Sequence, residues 1–209
     1  FGKMTSIDGY EDVYTTESYL SRIRYNYAQK YYFDASFRRD GSSRFSSPWG
    51  NFWSLGASWM ISDENFMKDI DWVNSLKLRA SYGQVGNDAG VDYYAYKELY
   101  YSDVNAGLGA FYKIQIPNPD LKWEETSQTD LGLDFGFFGN ALTFTVDWYK
   151  KKTDGMLMQM PLPAYVGDTP PMGNVGKMEN SGIEMDLSYR FQVSDLNVKF
   201  GATASYLKN

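Results

Sequence analysis

Glu124, Glu125, Glu179 and Glu184 are the side chains of this chain best suited to acid–base chemistry. Glycoside cleavage needs two carboxylates about 5 to 9.5 Å apart across a cleft, one protonating the leaving group while the other attacks or activates water. Neighbours on an extended strand point to opposite faces, so Glu124 and Glu125 pair poorly, and spacing alone sets no distance between the others. The chain has no histidine and no cysteine. That removes Ser-His-Asp triads, thiol nucleophiles, disulfides and histidine or cysteine metal sites together. No D-x-D-x-D-G loop for calcium occurs either. The expectation is a protein that is not an enzyme, with no catalytic residue, no metal and no cofactor.

Three stretches carry binding chemistry instead. In "RRDGSSRFSSPWG" (38–50), Arg39 and Arg44 can grip an anionic substrate with Asp40 beside them, or the three can pair with one another to shape a loop. Gly41 with Asp40, Ser42 and Ser43 supplies turn-forming residues. Tyr100 and Tyr101, in "YYAYKELYYSD" (93–103), and Trp123 offer rings that stack on sugars or peptide side chains, or that simply pack a long loop. "MLMQMPLPAYVGDTPPMGN" (156–174) combines adaptable methionines with stiffening prolines, suited to a partner protein or to folding back into an interior.

These residues need a frame. The 209 residues are 43% hydrophobic and 22% charged, a globular composition, and a net charge of −6 with no basic run argues against nucleic acid. No run of about 18 apolar residues is present, so a spanning helix is excluded while a membrane β-barrel is not. Period-two alternation marks eight segments at 19–27, 31–38, 53–61, 76–83, 130–138, 142–149, 183–191 and 198–206. Each approximates the 9 to 11 residues of a membrane-spanning strand. Short connections at 28–30 and 139–141 contrast with long ones at 84–129 and 150–182, which predicts the first pair on the periplasmic side and the second outside the cell. Residues 62–75 predict a helical turn after Ser62, with Ser62 as its N-cap.

Within the segments, Arg22, Arg24, Asp34, Arg38, Lys77, Arg79, Asp130, Asp134, Asp147, Glu184, Asp186, Arg190 and Lys199 all fall on one alternating face. The other face carries Ile23, Ala35, Leu55, Ala57, Leu78, Ala80, Leu131, Leu133, Phe144, Val146, Met185, Leu187 and Phe200. A soluble antiparallel sandwich or adhesin-like binding module explains that segregation, and so does a barrel with lipid outside. Aromatic placement favours the barrel. Rings such as Tyr25, Phe33, Trp59, Phe137 and Tyr189 gather toward the short turns, and Tyr19, Trp53, Tyr82, Trp148 and Tyr206 toward the other end, with small and aliphatic residues between. Two belts of this kind mark two membrane interfaces.

"RDGSSRF" (39–45), "LKLRASYGQVGN" (76–87), "NPDLKWEET" (118–126) and "NVGKMENSGIEMDL" (174–187) closely resemble the barrel of SusC-like (RagA-like) TonB-dependent transporters. One departure is Phe52, Trp53 and Ser54, where relatives often have Phe-Pro-Ser before the third strand. The resemblance covers nearly the whole chain and implies an all-β, antiparallel outer-membrane barrel expected to have about 22 strands. Residues 1–209 would form part of it, with the plug domain and signal peptide outside the chain. It further implies import of an oligosaccharide or peptide, a SusD-like surface lipoprotein as lid, and a TonB-type energy-coupling protein reached through other parts. A complete eight-stranded barrel is the alternative within membranes.

Overall fold

Hydrogen-bond pairing carries each alternating segment beyond the length that periodicity alone marks out. The computed structural model describes Gly9 and residues 11–209, and its strands are β1 (Thr16–Tyr27), β2 (Tyr31–Ser42), β3 (Trp49–Met60), β4 (Val73–Asn87), β5 (Leu99–Asn105), β6 (Leu108–Gln115), β7 (Glu124–Phe137), β8 (Leu142–Gln159), β9 (Met172–Val193) and β10 (Leu196–Lys208). Eight form one sheet in the order β1-β2-β3-β4-β7-β8-β9-β10. Every neighbouring pair is antiparallel. β1 and β10 do not pair, so the sheet is an open wall and not a closed eight-stranded barrel.

Register keeps the two faces apart across the whole wall, because directly paired residues share a face. One row runs Phe33, Ala57, Ala80, Leu131, Trp148, Ile183 and Tyr206. The next row on the opposite face runs Ser58, Arg79, Gly132, Asp147, Glu184 and Ser205. Ile23 is 67% exposed and Leu55 54%, so the apolar side is not packed against another layer. A sandwich would bury that side, whereas a wall in hydrocarbon leaves it bare of protein.

Buried hydrophobic residues gather elsewhere. Phe45, Val91, Ala95 and Leu121 form one cluster, with Trp123, Leu157 and Met172 packed on it, where the β2–β3, β4–β7 and β8–β9 connections meet. The opposite end has short turns at 28–30, 138–141 and 194–195. β8 and β9, with 18 and 22 residues, are about twice the length a spanning strand needs, so their hairpin projects past the wall at the clustered end.

Two local expectations require correction. The helical turn after Ser62 is present as a 3-10 turn at Asn65–Met67, preceded by another at Ile61–Asp63, but Ser62 caps neither. Its hydroxyl donates to the adjacent Asp63, while Glu64 organises the turn by accepting from Tyr31 Oη (2.6 Å), Lys30 Nζ (3.1 Å) and Trp59 Nε1 (3.2 Å). Asp40, Gly41 and Ser42 do not turn the chain: they continue β2, and the turn falls at 43–48. Gly41 is needed there because a Cβ would press on the Trp49 ring at 3.0 Å. The β5–β6 hairpin inside the longest connection was not anticipated; Ala106 (φ 51°) and Gly107 (φ 80°) close it with a turn of left-handed residues.

Candidate functional site

On the charged face, glycine and serine let long side chains reach across strands. Arg79 on β4 extends over Gly132 on β7 to bond Asp134 through Nε (2.8 Å) and Asp147 on β8 through Nη2 (2.8 Å). Thr145 donates to the same Asp134 (3.2 Å). Arg22 and Arg24 converge on Asp34 at 2.9 and 3.0 Å, and Asp130 accepts from Ser81 (3.0 Å) and Gln128 (2.7 Å). Charges of opposite sign therefore pair from β1 to β8, whereas like charges stand opposite each other further on, Asp147 with Glu184 and Arg190 with Lys199. Between the opposite-sign pairs lies a cavity of about 540 Å³ lined by Arg24, Asp34, Gly56, Ser81, Asp130 and Gly132. Two further cavities, of about 330 and 410 Å³, continue it past Ser54 and Gly83 to Asp40, Phe52 and Trp123.

At the clustered end, the residues singled out by type occupy distinct places. Arg44 lies against both rings of the stacked pair Tyr14 and Tyr93 (centroids 5.7 Å apart), with Cζ 4.5 and 5.1 Å from them, and its Nη1 donates to the Asp88 carbonyl (2.7 Å). The Asp88 carboxylate accepts from Ser42 Oγ and Tyr14 Oη, each at 2.7 Å. Burial, and then the bond to Asp88, raise the Tyr14 phenol above its ordinary 10.0. Trp123 stands against Phe45 and Phe52, with ring centroids 5.4 and 5.6 Å away, and its Nε1 donates to the Pro48 carbonyl (2.9 Å). Asn174 ties the β8–β9 hairpin to the same loops, accepting from Lys122 N (2.9 Å) and donating to Lys122 O (2.8 Å) and Gly155 O (2.9 Å). Arg44 and Trp123 thus join in one interlocked cluster.

Arg39 is apart from them. It sits on the outward face beside Phe37, paired with Tyr19, and its guanidinium covers the Trp49 ring at 4.8 Å. Tyr100 and Tyr101 stand on opposite faces of the β5–β6 hairpin, 60% and 53% exposed. Tyr101 packs on Tyr112 (5.4 Å between centroids), and Tyr100 bonds Glu98, which raises its phenol pKa. Reading by residue type missed Phe111, 78% exposed on the same hairpin, and Tyr165 at the tip of the β8–β9 connection. The signal was present: "LYYSDVN" and "LGAFYKIQ" flank an Ala-Gly turn. Lys113 of the hairpin reaches Asp168 of that connection at 3.8 Å.

The four glutamates have separate surroundings, and Glu125 sits on β7 between Gly86 and Asp154. Glu124 accepts from Leu157 N (3.2 Å) and Asn87 (3.3 Å), and Glu179 pairs with Lys150 (2.8 Å). Glu184 lies on the charged face, opposite Asp147 and Ser205.

A wall apolar outside and charged inside, with its long connections locked into a single cluster at one end, defines a segment of a large membrane β-barrel. The family model described as "TonB dependent receptor-like, beta-barrel" matches residues 2–209, and the chain belongs to that family. It is 41% identical over 177 residues to TonB-dependent receptor P39 of Formosa agariphila, covering 82% of this chain and 17% of that protein. With TonB-dependent receptor SusC of Bacteroides thetaiotaomicron the identity is 37% over 185 residues, covering 83% and 18%. The structure of the RagAB peptide importer in its open-open state superposes with a TM-score of 0.85 at 33% identity, covering 93% of this chain and 22% of that one. The siderophore receptor PirA of Pseudomonas aeruginosa shares the fold at a TM-score of 0.61 and 14% identity. The chain therefore spans about a fifth of the length of the relatives P39 and SusC.

Proposed function

We propose that this chain supplies part of the wall and loop cluster of an outer-membrane, TonB-dependent transporter that imports an oligosaccharide or a peptide. The observation that carries the proposal is a two-faced wall, continuous with a packed loop cluster from which an exposed aromatic hairpin projects. In this reading the clustered end faces outside the cell, and the turns at 28–30 and 138–141 face the periplasm. Tyr100 and Tyr101 contact cargo, with Phe111 and Tyr112 beside them. Arg44 and Trp123 hold the cluster that carries the hairpin, and Arg39 anchors the wall at the membrane interface. Near-neutral pairing along the charged face favours neutral or zwitterionic cargo over an ion of one sign. The β8–β9 connection, with Tyr165 exposed at its tip, meets a SusD-like surface lipoprotein acting as a lid. A TonB-type protein provides the energy through parts of the transporter outside this chain.

The test is uptake of fluorescent neutral oligosaccharide and peptide pools by cells carrying the full-length transporter at equal surface abundance. Replacing both Tyr100 and Tyr101 by Ala removes two stacking rings at about 0.5 to 1.5 kcal/mol each, so uptake of one pool falls about fivefold or more. Trp123→Ala also lowers uptake, but with faster hydrogen exchange at 43–48 and 91–95, the mark of a loosened cluster. Unchanged uptake in the double tyrosine variant would refute the cargo contact. Faster uptake of an anionic pool than of either neutral pool would refute neutral cargo.

A further inference from the structure

We propose that the outward face of β2, β3 and β4 holds one acyl chain of a bilayer lipid in a groove floored by Ala35, Ala57 and Ala80. The proposal rests on the reading above that this face meets the hydrocarbon of the outer membrane.

Register builds the groove. Ala57 and Ala80 are directly opposite each other, with Phe33 at one end of their row and Leu131 at the other. In the adjoining row, Ala35 lies beside Leu55, which is in turn paired with Tyr82. Three neighbouring side chains therefore stop at Cβ while those around them reach several atoms further. The result is a cavity of about 430 Å³ on the outer wall, bordered by Ile23, Tyr25, Phe33, Leu55, Tyr82 and Leu131. That volume lies in the range of small-ligand clefts, about 300 to 1,000 Å³. By contrast, β8 and β9 pair Val146 with Met185 and Phe144 with Leu187 in adjacent rows, with no alanine on either strand there; Ala204 and Ala202 follow only on β10.

Depth selects the occupant. Tyr25 and Phe33 belong to the aromatic belt near the short turns and Tyr82 to the opposite belt, so the groove lies between the two interfaces, where no headgroup reaches. An acyl chain is what fills such a site. One lowered between Phe33 and Leu131 touches protein on its floor and both flanks, whereas a chain resting on the β8–β9 wall touches it on one side only. Dispersion contacts are individually small and additive, so the seated chain exchanges more slowly than its neighbours.

The experiment uses the full-length transporter reconstituted in phosphatidylethanolamine and phosphatidylglycerol vesicles, with a phospholipid bearing a diazirine midway along one acyl chain. After photolysis, mass spectrometry locates the adducts. Fragments carrying Ala57 and Ala80 are labelled about fourfold more than fragments carrying Met185 and Leu187, the ratio that one additional buried methylene sustains. Filling the groove with Ala57→Leu and Ala80→Leu lowers that labelling to the level of the β8–β9 wall. Ala80→Val alone lowers it part-way, which serves if the double variant assembles poorly. Equal labelling of the two regions, or labelling unaffected by filling, overturns the proposal. Adducts assigned residue by residue to Asp130 and Asp134, and absent from the alternating Leu131 and Leu133, would instead overturn the reading of the faces on which it rests. Groove adducts lost when a lipidated partner subunit stays bound would assign the site to that partner's anchor and also overturn it.

Discussion

Gly132→Ala tests how the charged face is held together. Arg79, Gly132 and Asp147 form one row across β4, β7 and β8, and the Arg79 side chain crosses the space above Gly132 to reach Asp147. A Cβ at position 132 would lie 2.7 Å from Arg79 Cζ and would overlap the Asp147 carboxylate. The guanidinium must then leave Asp147 and keep only Asp134. The crowded atoms are the ends of two partly exposed, flexible side chains, so they move aside and the steric cost is small, about 0.5 kcal/mol, below the range for immovable neighbours. The ion pair adds little, because its partners are 36% and 34% exposed, and solvent screening reduces it to about 0.5 kcal/mol. The expected loss is about 1 kcal/mol, or about fivefold in the folding equilibrium. Urea titration of the full-length transporter in detergent, read by the mobility difference between folded and unfolded barrel on gels, measures it. In an Asp147→Ala background the added methyl has room, so the two changes should couple by about 1 kcal/mol. Gly132→Ala within about 0.5 kcal/mol of the parent, or a strictly additive double variant, would refute this account of the row.

Glu64 gives a pH dependence. Hydrogen bonds from Tyr31, Trp59 and Lys30 lower its pKa below the ordinary 4.5. Its contribution is therefore complete above pH 4.5 and is lost as pH falls through the lower folded value, so hydrogen exchange at 61–72 should accelerate only in that acid range. Glu64→Gln should abolish the acid transition; an unchanged transition would assign it to another group. Epitope tags at Gly107 and Gly139 test orientation, since the two positions lie at opposite ends of the wall. Antibody should label intact cells at Gly107 and not at Gly139, and the reverse pattern would invert the proposed topology.

The wall was legible because lipid and lumen impose opposite chemistry on alternate residues, and a period of two survives in every spanning strand. Strand ends were not. β2 runs on through Asp40, Gly41 and Ser42, residues that favour turns in isolation, because pairing with Trp49 and Gly50 satisfies their backbone and the Trp49 ring needs a bare Gly41. The β5–β6 hairpin mixes polar and apolar residues on both faces, since neither packs on the wall, so alternation is weak there. Arg44 and Trp123 stood out by type, but their partners lie far away in sequence: Asp88 for one, Pro48 for the other. Composition records which side chains seek company, and only the closing of three connections on one another determines which company they find. Ser62 misled for a related reason. A local capping pattern lost to Glu64, whose three donors come from β3 and the β1–β2 turn region.

The assignment of faces underlies the whole account, and Leu187 with Glu184 tests it most directly. Leu187 is on the outward face, between Phe144 and Ala202, while Glu184 is on the charged face, between Asp147 and Ser205. Arginine on the lipid side near the midplane costs about 2 to 4 kcal/mol, or about 30- to 900-fold in the assembled population. The amount of folded, heat-modifiable transporter in isolated outer membranes should therefore collapse for Leu187→Arg and stay near the parent level for Glu184→Gln. Equal assembly of the two variants, or collapse of Glu184→Gln alone, would contradict it.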